Sequence, residues 1–350
     1  MSTSDVGKDG LRGERPGREA QIGRGVRRKG RRGERAMVPD AEFTSYYGKP
    51  VLNPPVWKAA DVAAYFFLGG LAGAGSVLAA GAQLTGRPAA ARALKASSLA
   101  AILGSTAALI HDLGRPERFL NMLRVMKPTS PMSMGSWLLA AYGPAVGGAA
   151  VLDVTGLFPR LGGAATATAA ALGPAVTTYT AVLAADTAVP AWHEAHRQLP
   201  FVFAGSATAA AAGMGLVASP LRENGPMRSA AVFGTVLEAA AARTLRRRVG
   251  FVAEPYQEGK AGRLMRAGAV LSAAGAGGAA LFAGRSRAAA VVSGTALLAG
   301  SAFTRFGVFH AGMQSARDPK YTVVPQRERL AARADIARAD AGRADAEQVG

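Results

Sequence analysis

The chain contains no cysteine. Disulfides, thiolate zinc sites and cysteine-held iron–sulfur clusters are therefore excluded within it. Any such cluster working with this protein belongs to a partner. Carboxylates are scarce as well: 23 Asp and Glu stand against 41 Lys and Arg, a formal net charge of +18. Charged residues make up 18% of the chain, below the ~25% of a soluble domain. The deficit lies in the middle, because both ends are full of Arg. There are four histidines, all at the ends of apolar runs or in connectors. Haem b needs two histidines facing each other at depth, so no haem is expected. The first apolar run starts near residue 59, beyond the ~15–30 residues of a secretory signal. The arginine pairs at 27–28 and 31–32 lead into no apolar segment, so a twin-arginine export signal is not expected either.

What remains is a membrane pattern. From 59 to about 310 the apolar runs are each near the ~20 residues that cross a bilayer. They lie at 59–83, 94–113, 134–158, 163–188, 199–219, 228–248, 264–284 and 288–309. Only helices suit such open-ended spans, since lipid offers backbone groups no partner. The fold class is all-α, a polytopic bundle of eight transmembrane helices over 46–312. The runs are rich in Ala and Gly rather than Leu. Gly69 and Gly73 are one turn apart, as are Ala72 and Ser76, which favours close helix approach. Residues 1–45 are a basic tail too polar to offset chain entropy, and are expected to be disordered. Its arginines suit anionic lipid; with no interleaved aromatics, nucleic acid is not an expected partner. Residues 313–350 form a polar, low-complexity tail with an Arg-Ala-Asp repeat at 333, 338 and 343. The distribution of Arg and Lys puts both termini on the cytoplasmic side of the cell membrane.

One connector is too ordered in its residue choices to be a spacer: HDLGRPERFLNMLRVMKPTSPMSMGSW, His111 to Trp137. Gly114 and Pro116 stop the second helix, and Ser133 is a plausible N-cap for the third. Arg115, Arg118, Arg124 and Lys127 make it a basic docking surface. This segment resembles the signature connector of the NrfD / polysulfide reductase membrane-subunit family. So do Tyr46-Tyr47-Gly48-Lys49-Pro50-Val51-Leu52, Pro55-Val56-Trp57, and the run Tyr65 to Gly73. The resemblance is strongest over 46–137 and continues more weakly to about 310. It implies a quinone-interacting membrane anchor of a multi-subunit oxidoreductase in anaerobic respiration. Its partners would be a ferredoxin-like iron–sulfur subunit and a molybdopterin-type catalytic subunit acting on a small substrate such as polysulfide or formate. Quinone or menaquinone would be its substrate.

Ionisable residues in spans are costly and tend to face the bundle interior. In an eight-span antiparallel order, Asp61, Tyr65, His111, Asp112, Asp186, His193, Arg305 and His310 all fall toward one side. Tyr179, Asp186 and His193 are spaced seven apart, so a continuous helix would stack them on one stripe; Pro190 bends that helix. A phenol can hydrogen-bond a quinone oxygen and a carboxylate can take a proton. Tyr179-Thr180-Ala181 also resembles the family's Tyr-Thr-Gly motif, whose tyrosine contacts quinone, with Ala181 in place of the glycine. The family's histidine near the start of the first helix has no counterpart here; Trp57, Lys58, Asp61 and Tyr65 occupy that region. The quinone-binding set is therefore Tyr179, Thr180, Asp186, Asp61, Tyr65 and His111, with Asp112 and Glu238 for proton transfer. A membrane tyrosine satisfied by a carbonyl, a helix-start carboxylate at Asp61 and a capping Asp112 are the structural alternatives. Other functions are a secondary transporter, for which Gly143-Pro144 and Gly173-Pro174 would have to break their helices, and a purely structural anchor.

Overall fold

A computed structural model describes residues 5–7, 10–12, 51–53, 55–112 and 121–349. Proline placement sets most of the helix starts. The long helices are α1 (Ala59–Leu84), α2 (Pro88–Asp112), α3 (Pro131–Thr155) and α4 (Pro159–Ala185), then a single-turn α5 (Pro190–Glu194). There follow α6 (Leu199–Ala218), α7 (Gly225–Val249), α8 (Gly259–Leu281), α9 (Arg287–Arg317) and α10 (Lys320–Val349). Pro sits in the first turn of α3, α4, α5, α6 and α7, where its missing N–H costs nothing. Short 3₁₀ turns at Leu221–Glu223 and Gly250–Tyr256 flank α7. A minimal antiparallel hairpin pairs Asp5–Gly7 with Gly10–Arg12. The rest of the expected disordered tail lies outside the described residues, as do Arg115 and Arg118.

Residues 55–315 form one compact unit; 1–54 and 316–350 group separately. Among the described residues, seven helices, α1–α4, α6, α8 and α9, are long and apolar enough to cross a membrane. The eighth expected span, α7, is as long but carries Arg228, Glu238 and a last turn of Arg246, Arg247 and Arg248. The protein is an integral membrane protein, and its surface reads that way. Leu103, Phe233, Val236 and Val270 are exposed in mid-helix, whereas Ser206, Ser301, Thr304 and Arg305 are buried. That inverts the pattern of a soluble domain.

Small residues hold the bundle together. A Cβ on Gly73 would stand 2.5 Å from the Gly173 carbonyl oxygen, so α1 and α4 touch backbone to backbone. Nearby, Tyr142 of α3 is fully buried; its hydroxyl donates to the Ala72 carbonyl at 2.7 Å and is 2.6 Å from Ser76 Oγ. At the opposite end from the site described below, Asp153 of α3 accepts from Lys95 (2.8 Å) and Arg92 (3.0 Å) of α2.

Several expectations shift. Pro144 and Pro174 lie inside continuous helices, so the broken spans that a transporter reading needs are not there. The first turn of α3 is capped by Ser130, whose side chain accepts from the Ser133 amide. Ser133 instead stitches the connector, donating to the Val125 carbonyl and accepting from the Lys127 amide, both at 3.0 Å. The Tyr179–Asp186–His193 stripe does not form: α4 ends at Ala185, and Thr187–Val189 precede the new start at Pro190. His193 Nδ1 turns back to the Ala185 carbonyl at 3.2 Å, meeting a carbonyl the helix leaves open. The last apolar helix runs on to Arg317 rather than ending near 309.

Candidate functional site

The start of α1 and the end of α2 lie side by side because the hairpin between them, Thr85 to Arg87, is tight. This brings Asp61 against His111, Oδ2 to Nδ1 at 2.9 Å. The His111 side chain is 68% exposed and that of Asp61 is 15% exposed, so the pair reaches from water into the bundle. Asp112 Oδ1 accepts from the backbone amide of Lys58 at 3.4 Å. Lys58 is the N-cap of α1, so Asp112 meets an orphan donor at that helix start. This is the capping alternative, although the helix capped is the neighbour.

One turn below Asp61, Tyr65 is buried on α1. Its phenol interacts with the phenol of Tyr179 on α4. Tyr65, Tyr179 and Thr180 line a cleft with Gly69, Ser105, Leu138 and Val176. Thr180 Oγ1 is buried there with no hydrogen-bond partner. By contrast Thr166, Thr177 and Thr178 in the same helix each donate to the carbonyl four residues back. The Tyr179 ring lies over Gly135 of α3, where any Cβ would run into the ring. Gly135 is a positioning residue that sequence reading missed, although it stands in the quoted Met134-Gly135-Ser136-Trp137 segment. In this conformation the cleft encloses about 10 Å³, room for about one water.

Asp186 is not brought to this cleft. It is the exposed C-cap of α4. Glu238 is elsewhere too, buried where α7 packs on α6 and α9; its Oε1 accepts from Thr304 Oγ1 at 2.7 Å. Arg305, fully buried on α9, attracts Glu238 electrostatically. It also donates to the Phe203 carbonyl at 2.7 Å and stacks 3.7 Å over the Phe203 ring. Arg124 and Lys127 are exposed beside exposed Val125 and Met126.

The single turn α5, absent from the sequence reading, closes the same end of the bundle. Trp192 is fully buried, donates from Nε1 to the Val308 carbonyl at 2.8 Å and stacks on Trp57 at 5.6 Å. Tyr256, in the turn after α7, donates to the Ala191 carbonyl at 2.9 Å. Burial raises its phenol pKa. No group of three or more metal-ligating side chains occurs among the described residues.

No curated protein matches the chain. The sequence profile of the family described as polysulphide reductase, NrfD, matches residues 50–232. That stretch runs from just before α1 into α7 and contains the paired phenols, the Asp61–His111 contact and Gly135. The chain belongs to the polysulphide reductase NrfD family.

Proposed function

We propose that the chain is the quinone-reactive membrane anchor of a multi-subunit oxidoreductase. It exchanges electrons between a membrane quinone and an iron–sulfur partner, which serves a molybdopterin-type catalytic subunit. The observation that carries this reading is the Tyr65–Tyr179 pair beside the unpartnered Thr180 hydroxyl, one turn below Asp61 and His111. Phenol and hydroxyl donors suit the oxygens of a quinone ring. Oxidising a hydroquinone releases two electrons and two protons. The Asp61–His111 pair is the exit for protons toward water, and the same groups serve in reverse if a quinone is reduced. Asp112 holds the helix ends in register, and Asp186 stands at the surface as a further proton acceptor.

The cleft at its present size does not hold a ring. A quinone head must displace Leu138 and Leu139 of α3, which line the cleft and are half-exposed. Hydroquinone redox chemistry is supplied by the substrate, and the chain supplies orientation and proton handling. The basic connector, with Arg115, Arg118, Arg124 and Lys127, is the docking surface for the iron–sulfur subunit. Exposed Val125 and Met126 give it an apolar component. α7 is the eighth span, its arginine-rich last turn on the same side as that connector, with both termini on the cytoplasmic side of the cell membrane. Residues 46–312 carry the membrane role, and 1–45 and 313–350 flank it.

The test is quinol turnover by the purified complex carrying Tyr179→Phe or Tyr65→Phe. Both should lower turnover by about tenfold or more, with the complex intact, as loss of one oriented donor costs. Unchanged turnover in both variants rejects this site.

A further inference from the structure

A far wider space than the tyrosine cleft lies elsewhere in the bundle. A cavity of about 370 Å³ lies between α7 and α8, floored by α9. Its position follows from which helices touch closely. α6 and α7 meet through Gly205 and Gly234, where any side chain would strike the opposing backbone. α8 and α9 meet through Gly268, Gly275 and Gly300 in the same way. Gly213 and Gly294 bring α6 against α9 as well, so glycine contacts join α7–α6–α9–α8 in a row and leave α7 and α8 without one. At one end α7 and α8 are pinned directly, where Arg228 donates to the Ala279 and Ala280 carbonyls and Asn224 to that of Ala283; at the other the 250–258 connector stands between them, with Arg266 donating to the Gln257 carbonyl. Toward the other end they diverge into a wedge.

The wedge has three chemically distinct parts, one of them an end lined by Arg246, Tyr256, Gln257, Met265 and Arg266. Its flanks are alanine: Ala239 on α7, and Ala269 and Ala273 on α8, all exposed. Its floor is polar. Glu238 is 6% exposed and faces the cavity, with Oε1 held by Thr304. Oε2 completes no hydrogen bond, although the Ser206 and Ser272 hydroxyls stand near it. Ser272 Oγ and Thr235 Oγ1, on the same cavity, are also buried without a partner. Orphaned acceptors and hydroxyls at bilayer depth are costly unless something meets them. A bare cation is disfavoured by Arg305 beside the carboxylate. A volume in the range of small-molecule pockets suits a ring.

We propose that the α7–α8 wedge is a second ligand site, taking the flat, hydroxyl-bearing head of a lipid-soluble hydroquinone-class molecule onto Glu238, Ser272 and Thr235. Its tail leaves between the alanines into lipid. The choice of ligand class rests on the quinone-linked function proposed above; the site itself rests on the wedge and its unpaired floor. All of these residues lie beyond the stretch matched by the family profile, which ends at 232. The site is separate from the tyrosine cleft, which is lined by α1–α4 alone.

The test uses the full chain in phosphatidylcholine nanodiscs and a photoactivatable hydroquinone with a decyl tail. Peptide mass spectrometry then locates the label. Label is expected on residues 235–273 as well as near Tyr179. Ala239→Phe, which fills the lipid-exposed flank without touching the buried floor, should cut the 235–273 label about tenfold and leave the Tyr179 label intact. Glu238→Gln should weaken the 235–273 label in the same direction. Label near Tyr179 alone overturns the second site and leaves the first standing; label on 235–273 alone does the reverse. Label on 235–273 that survives Ala239→Phe, or that yields to added phosphatidylglycerol but not to unlabelled hydroquinone, marks a nonspecific or phospholipid groove and overturns the proposal.

Discussion

His111 Nδ1 and Asp61 Oδ2 stand 2.9 Å apart across the ends of α2 and α1. The contact joins an exposed imidazole to a mostly buried carboxylate. Directly below, Tyr65 begins the buried part of the site. If this pair passes protons, Asp61→Asn should lower quinol turnover by about tenfold while quinone binding is kept, since water replaces such a group only partly. His111→Ala should act in the same direction but less, because its ring is open to solvent. Turnover and binding measured on the same preparations separate this role from a purely structural one.

Gly135 offers a steric test of the same site. The Tyr179 ring occupies the space a Cβ would need. Gly135→Ala should push Tyr179 off its position, lower turnover sharply and destabilise the bundle by about 1–3 kcal/mol. Gly143→Ala, on the same helix with open space around it, should leave both unchanged. Thermal denaturation in detergent together with turnover decides between them.

Lys95 and Arg92 both bind Asp153 but differ in exposure, with side chains 5% and 62% exposed. Removing the buried partner leaves Asp153 half-compensated, whereas the exposed one is screened. Lys95→Ala should cost about 1–3 kcal/mol, below the full penalty for an orphaned buried charge because Arg92 remains. Arg92→Ala should cost under about 1 kcal/mol. Unfolding titrations in mixed micelles measure the difference, and neither change should affect quinone binding.

Trp192 anchors the single turn α5 to α9 and to Trp57. Trp192→Ala should cost about 3–5 kcal/mol of stability, as truncating a fully buried indole does. Trp192→Phe keeps part of the stack but loses the hydrogen bond to Val308, and should fall between.

The long helices were legible because apolar length is a strong signal, and seven of the eight expected runs meet that criterion as helices. The apolar runs begin later than the helices, at 94, 134, 163 and 264, because Lys, Ser, Arg and Pro near a helix start look like connector. In fact Pro88, Pro131 and Pro159 open their helices. The single turn at Pro190 was invisible, since five residues carry no periodicity. At the site, the sequence placed Asp61, Tyr65, His111 and Tyr179 at one end of the bundle, and the helix pairing joins them two by two. Asp186 does end its helix as expected, but the stripe with Tyr179 and His193 fails because it assumes a helix that continues past Ala185. Gly135 and the α7–α8 wedge depend on packing distances between helices, which spacing along one helix does not encode.

The most direct measurement is binding of a soluble short-chain quinone analogue to the purified chain, followed by quenching of intrinsic fluorescence, in the native sequence and in Tyr179→Phe with Ala239→Phe as background. That background removes the second site from the signal. Binding in the background protein that weakens about tenfold, the loss of one oriented hydrogen bond, on adding Tyr179→Phe is the expected result. An affinity that does not change when the phenol is removed contradicts a quinone site at Tyr179.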